Sequence, residues 1–219
     1  MVMATFLDCI NGVLRRIRET EAITPTDTAY VKLIGDFVNE AKREVEDAWN
    51  WSVLRTTKTI TTVSGTQNYE IPTTNPRARL LVVYIPSLKR DLQQATQNQM
   101  HEWNNLQGSV NGDPFYFSIG NSTSSTGVIT LDLWPIPSSV LTVKVDCVIP
   151  QADLSAGTDV VYVPSELVIQ GAYLRAINER GEDGGRLSEQ QADLYRKAVA
   201  SYISIEAERY GDETTWEWS

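Results

Sequence analysis

Apolar residues recur every three to four positions at both ends of this chain and every second position through its middle, so the pattern predicts helices flanking strands. Phe6, Ile10, Val13, Leu14 and Ile17 share one helical face, with Thr5 and Asp8 at capping-box spacing before it. Thr24-Pro25-Thr26-Asp27 breaks the chain and restarts it. Tyr30, Leu33, Ile34, Phe37, Val38, Ala41, Val45, Ala48 and Trp49 then trace one face of a longer helix, and Lys32, Asp36, Glu40, Arg43 and Glu44 lie on the outer face.

After Trp51 the period shortens. The β-branched run Thr56, Thr57, Thr59, Ile60, Thr61, Thr62 and Val63 predicts a strand, the Ser64-Gly65-Thr66-Gln67 turn follows, and Tyr69-Glu70-Ile71 returns as the second arm of a hairpin. Residues 80–85 form a short apolar strand between Pro76 and Pro86. Thr96 and Gln99 sit at capping-box spacing, so 97–106 reads as a helix with Met100, Trp103 and Leu106 on one side. Strands are expected at 115–119, 128–133 and 140–149, separated by a Ser/Thr/Gly turn and by Pro135-Ile136-Pro137. Short antiparallel strands of this number suit a small sandwich or barrel.

Helical spacing resumes at Pro164 and runs through Leu167, Val168, Gly171, Ala172 and Ala176 to a stop at 181–185. The last helix is expected to begin near Ser188, with Gln191 at capping-box distance, to carry Ala192, Tyr195, Val199, Tyr202 and Ile203 on one face, and to close at Gly211. Neither helical hairpin can hide its apolar stripe alone, so the two are expected to pack together. The fold class expected is α+β. Residues 1–52 plus 164–211 make a four-helix domain, 53–163 an inserted antiparallel β-rich domain, and 212–219 an extended tail.

The charge of −9 argues against a sequence-independent nucleic-acid binder, which needs cations to displace counterions from phosphates. No apolar run approaches the roughly 20 residues that span a bilayer, and Met1-Val2-Met3-Ala4-Thr5-Phe6 lacks the regions of a signal peptide, so folding in a cytosol is expected, with no membrane partner. Cys9 and Cys147, far apart in sequence, are expected to be two buried thiols rather than a disulfide.

Candidate chemistry is sparse. His101 is the only histidine, which excludes a two-histidine metal site, and its neighbours Met100, Glu102 and Trp103 offer no nucleophile. The sequence contains no nucleophile elbow, phosphate-binding loop or zinc pair. Asp146, Asp153, Asp159 and Glu166 could supply carboxylates for glycoside cleavage, but no spacing selects two of them. Gly181-Glu182-Asp183-Gly184-Gly185 resembles a phosphate cradle only superficially, because its two acids would repel an anion. No catalytic, cofactor or metal residue is therefore expected.

Aromatic residues are the better candidates. Trp103, Tyr116, Phe117 and Trp134 in the β-rich part could build a sugar platform, though such residues more often anchor a core or an interface. Trp49 and Trp51 read as plugs at the end of the second helix. Asn121-Ser122-Thr123 matches a glycosylation acceptor and reads as a turn. Trp216 and Trp218 alternate about Glu217, so both rings could face one surface, either folded back on the chain's own domain or docked on a partner.

Several stretches of the chain resemble the head-to-tail adaptor of short-tailed bacteriophages, also called tail tubular protein A or the gatekeeper family. They are Phe6-Leu7-Asp8-Cys9-Ile10-Asn11-Gly12-Val13-Leu14-Arg15-Arg16-Ile17, Glu44-Val45-Glu46-Asp47-Ala48-Trp49-Asn50-Trp51, Gly112-Asp113-Pro114-Phe115-Tyr116, Leu133-Trp134-Pro135-Ile136-Pro137, Val163-Pro164-Ser165-Glu166-Leu167 and Tyr195-Arg196-Lys197-Ala198. The resemblance implies a virion protein of the neck or tail, without catalysis or cofactor, assembled in the host cytoplasm. It implies a homo-oligomeric ring, usually a dodecamer, between the portal protein and the tail nozzle protein, in some cases touching tail fibres, with genome DNA passing through unbound. On this resemblance Tyr210, Trp216 and Trp218 would contact the portal, and Trp103, Tyr116 and Trp134 would face the nozzle or a neighbouring subunit. A connector of long-tailed phages and a tail-associated glycan hydrolase are the alternatives.

Overall fold

The computed structural model describes residues 3–73, 75–106, 108, 110–120, 128–181 and 186–209. It is an α+β fold that divides into two compact units, Met1–Leu54 with Gln151–Ser219, and Arg55–Pro150. The strand pattern carries the β-rich part to residue 163. In the structure 151–163 lies with the helices instead, for a reason given below.

The helical unit holds α1 (Phe6–Arg16), α2 (Ala29–Ala48), α4 (Ser165–Arg180) and α5 (Arg186–Glu208), numbered with a further helix of the other unit, α3 (Gln97–Leu106). Thr5 caps α1 as expected: its hydroxyl accepts from the Asp8 N–H, and the Asp8 carboxylate accepts from the Thr5 N–H at 2.9 Å. Helix α4 packs against α1, α2 and α5 and is the centre of the unit. It can approach closely because Gly171 carries no side chain; a Cβ there would stand 3.0 Å from the Ala41 Cβ and 3.2 Å from the Tyr195 ring. Gly181, at φ 62°, ends α4 in the left-handed region with its N–H bonded to the Ile177 carbonyl. The last helix starts at Arg186, before Ser188, so the expected Ser188 cap lies inside it. Of its predicted face only Tyr195 is buried, while Ala192, Val199, Tyr202 and Ile203 are half-buried.

The segment 151–163 stays with the helices because α2 binds its backbone. Asn39, Lys42 and Glu46 lie at positions i, i+3 and i+7 beside the apolar stripe of α2, and all three are buried. Asn39 exchanges two hydrogen bonds with Leu154, Lys42 donates to the Gln151 and Ala152 carbonyls, and Glu46 accepts from the Gln151 N–H. Further along, the Phe6 and Leu7 N–H groups donate to the Asp159 and Gly157 carbonyls, and a bridge joins Thr5 to Val160.

The second unit contains β1 (Arg55–Thr61), β2 (Asn68–Glu70), β3 (Arg79–Ile85), β4 (Arg90–Asp91), β5 (Gln93–Gln94), β6 (Asn111–Gly112), β7 (Tyr116–Gly120), β8 (Thr130–Trp134), β9 (Ile136–Pro137) and β10 (Thr142–Val148). One sheet has the order β1-β10-β3-β4, a second β2-β8-β7-β5, and β6 pairs with β9. Ile60, Val83, Ile85, Val143 and Val145 of the first sheet share one core with Tyr69, Phe117, Leu131 and Leu133 of the second, which makes a sandwich.

The sheets are antiparallel as expected, with two short parallel pairs, β5 with β7 and β6 with β9, added to them. One expectation is corrected here: the hairpin expected between β1 and β2 does not form, because β1 pairs with β10 and β2 with β8. Gly65, at φ 79°, turns the chain, and the Tyr69 hydroxyl accepts from the Val63 N–H and lies in hydrogen-bond contact with the Val63 and Thr66 carbonyls. That corner passes the chain from one sheet to the other.

Candidate functional site

The side-chain alternation of β7 and β8 sorts their residues onto two faces. Phe117 and Leu133 point into the sandwich, and their neighbours Tyr116 and Trp134, paired directly across the ladder, point outward. Helix α3 covers that outer face. Thr96 and Gln99 cap it reciprocally, Gln97 donates to the Ser118 hydroxyl and the Ile119 carbonyl, and Asn104 pairs its amide with Gln67. Trp103 then lies with its ring centroid 4.9 Å from Tyr116 and 4.8 Å from Trp134.

The three residues singled out by sequence thus meet in one cluster, and Phe117 is separated from them on the core side. Interplanar angles of 49°, 37° and 46° make the cluster a wedge of tilted rings rather than a coplanar sugar platform. All three are half-buried, and the indole Nε1 of Trp134 is buried without a hydrogen-bond partner among the described residues. The exposed apolar surface of this unit includes Leu106, one turn beyond Trp103, and Phe115, whose ring carries the Arg90 guanidinium 3.7 Å from its centroid. Exposure at these two residues was not legible from periodicity, because both fall at positions a core could have used.

The carboxylates considered for glycoside chemistry are dispersed. Asp146 accepts from the Thr57 hydroxyl in the β unit. In the helical unit Asp153 pairs with Arg43 at 3.1 Å and Glu166 with Arg16 at 2.8 Å. Asp159 accepts from the Ser155 and Ala156 N–H groups, and those bonds hold its carboxyl below the usual range. Each is engaged in a local structural contact. Among the described residues no group of three or more His, Cys, Asp or Glu side chains could hold a metal ion, and no helix is long and apolar enough to cross a membrane.

Both cysteines are free and buried, Cys9 in the helical unit and Cys147 in the sandwich. Burial pushes the Cys9 thiol up to about 12 and raises that of Cys147 as well, so neither is a ready nucleophile. Trp51 is buried and donates its indole N–H to the Val45 carbonyl at 2.6 Å, while Trp49 is half-buried. Tyr210, Gly211, Trp216 and Trp218, the acceptor-like Asn121-Ser122-Thr123 and 182–185 lie outside the described residues.

A helical unit and a β-sandwich, with aromatic residues at the surface of the latter and scattered carboxylates in structural roles, suit an assembly component better than a catalyst. A model of the SU10 adaptor protein family matches residues 4–216, nearly the whole chain. The chain belongs to that family. Phage adaptors of this kind are structural proteins of the head-to-tail junction and not an enzyme family, and this adaptor takes its place among the components of the virion neck. No curated protein matches the sequence.

Proposed function

We propose that this adaptor forms a closed ring of twelve copies between the portal of a short-tailed phage and its tail nozzle, and that it forms part of the channel for genome retention and ejection. The match over 4–216 carries this reading, since it covers the residues of both units rather than one shared module. A closed heterologous ring requires two different complementary faces on each subunit. The partly covered α5, with exposed Leu187, Leu194 and Ile205, and the Trp103-Tyr116-Trp134 wedge with Phe115 and Leu106 are the surfaces we assign to neighbours and nozzle. Tyr210, Trp216 and Trp218 would anchor on the portal as an extended strap.

The net charge of −9 supports a channel through which DNA slides without sticking, because like charge repels phosphate. The experiment is reconstitution: purified adaptor is mixed with portal-bearing capsids and imaged by electron microscopy. A twelve-fold collar beneath the portal is the expected result. A protein that stays unbound, or a collar with an electropositive lumen, would count against the proposal.

A further inference from the structure

Helix α5 carries two faces. Tyr195, Val199, Tyr202 and Glu206 make the inner one: the Tyr195 ring lies against Gly171 of α4, and Glu206 accepts from the Ser52 N–H at 2.7 Å. Leu187, Gln191, Leu194, Ala198, Ser201 and Ile205 make the other, about 100° round the helix. Leu187, Leu194 and Ile205 are 45%, 58% and 53% exposed, Ser201 is exposed, and Gln191 and Ala198 are half-buried beside a hollow. Gln170 and Tyr173 of α4 complete that hollow with Arg16, whose charge Glu166 already holds.

The second face has a coiled-coil period. Its positions step by four, three, four, three and four residues, the spacing by which one helix packs along another, and none of them is charged. The stripe runs about 27 Å along the axis. Solvent does not call for such a stripe, since Glu189, Asp193 and Arg196 already supply α5 with a charged outer face.

The order of side chains selects the partner. Turned antiparallel against itself, the stripe sets Leu194 on Ala198, Gln191 on Ser201 and Leu187 on Ile205, so that large meets small, polar meets polar and branched apolar meets branched apolar. All three pairs are centred on Arg196. One two-fold axis therefore satisfies them together. A parallel pairing would stack Ala198 on Ala198 and Ser201 on Ser201 in adjacent layers and leave a void there. Lys197, exposed on the solvent flank near the axis, keeps its ammonium in water.

We infer that two free copies of this chain pair through this stripe, α5 antiparallel to α5, as a closed dimer. The pair covers the exposed leucines until assembly. A closed ring needs two different faces on each subunit, whereas a two-fold pair uses one face twice, so the dimer opens before a ring closes. The inference goes beyond the ring reading and does not rest on it. Its test uses the isolated full-length protein, so either can fail without the other.

The test is disulfide trapping with two single variants, Gln191→Cys and Ser201→Cys, each matched to the parent by circular dichroism; the native Cys9 and Cys147 are buried. In the antiparallel pair the two copies of position 191 lie about 15 Å apart along the axis, as do the two copies of position 201, too far for a bridge, while 191 of one copy faces 201 of the other. Mild oxidation should therefore cross-link an equimolar mixture of the variants at least about tenfold more than either variant alone. Sedimentation of the unsubstituted protein should show a reversible dimer, and Leu194→Glu should weaken it about 100-fold, because it buries a carboxylate against Ala198.

Cross-linking of either variant alone as efficiently as the mixture would overturn the inference in favour of a parallel contact. An unsubstituted protein that stays monomeric throughout a concentration series, or a dimer indifferent to Leu194→Glu, would also overturn it and assign the stripe to another partner or to the chain's own surface. The double variant Gln191→Cys with Ser201→Cys should stop at dimer. A ladder of trimers and above would mean a head-to-tail contact and would overturn the closed pair.

Discussion

Lys42 and Glu46, one turn apart on α2, form an ion pair with no solvent exposure: Nζ lies 3.2 Å from Oε1 while also donating to the Gln151 and Ala152 carbonyls. The pair is a clamp on backbone, since Glu46 accepts from the Gln151 N–H in turn. Removing one partner leaves a buried charge, so Lys42→Ala should lose about 3–5 kcal/mol. Exchange of both for apolar residues is often harmless elsewhere, but here it also strips hydrogen bonds from backbone groups of 151 and 152. The double change Lys42→Met with Glu46→Leu should therefore still cost at least about 2 kcal/mol. Urea unfolding followed by circular dichroism measures both, and a neutral double variant would refute the clamp.

Gly171 sets the separation of three helices. Gly171→Ala gains about 1 kcal/mol of helix propensity yet should lose about 1–3 kcal/mol overall, because its Cβ would press on Ala41 and Tyr195. Gly171→Val should lose more. Thermal melts that rank Ala above the parent would show that the helices relax apart freely.

Burial pushes the Tyr195 hydroxyl up to about 12, helped by the negative charge of Glu44. A raised pKa means the folded state keeps its proton longer than the unfolded chain. Stability is thus full below about pH 10 and declines by about 3 kcal/mol as pH rises through 12. Tyr195→Phe should flatten this alkaline limb. Denaturant titrations across the alkaline range, for both proteins, decide the matter.

Trp103 joins α3 to the outer face of β7 and β8. Trp103→Ala should cost about 2–4 kcal/mol of local stability and raise amide exchange over 97–106, with the sandwich strands staying protected. Hydrogen exchange by mass spectrometry resolves the two. Equal loss of protection in the strands would mean that the wedge belongs to the core of the sandwich.

Much of this architecture could be read from period alone. The Thr5–Asp8 and Thr96–Gln99 boxes, the Gly181 stop, the 97–106 helix and the positions of β1, β2, β3, β7, β8 and β10 are local, and local rules reach them because each depends on residues two to four apart; the two-residue strands β4, β5, β6 and β9 are too short to show a period. The grouping of Trp103, Tyr116 and Trp134 as candidates was likewise available from composition. Their contact was not, since it needs both the β7–β8 register and the seating of α3.

The sequence by itself determined the order of elements, the α+β class, the apolar faces and the net charge that any partner would meet. Only tertiary structure decided which strand pairs with which, where 151–163 belongs, and that Lys42 and Glu46 are interior. The reason is physical. A strand's alternation names its buried face but not its neighbour, so β1 and β2 could read as a hairpin and still join different sheets. A charged residue beside an apolar stripe reads as solvated until distant backbone carbonyls arrive to satisfy it.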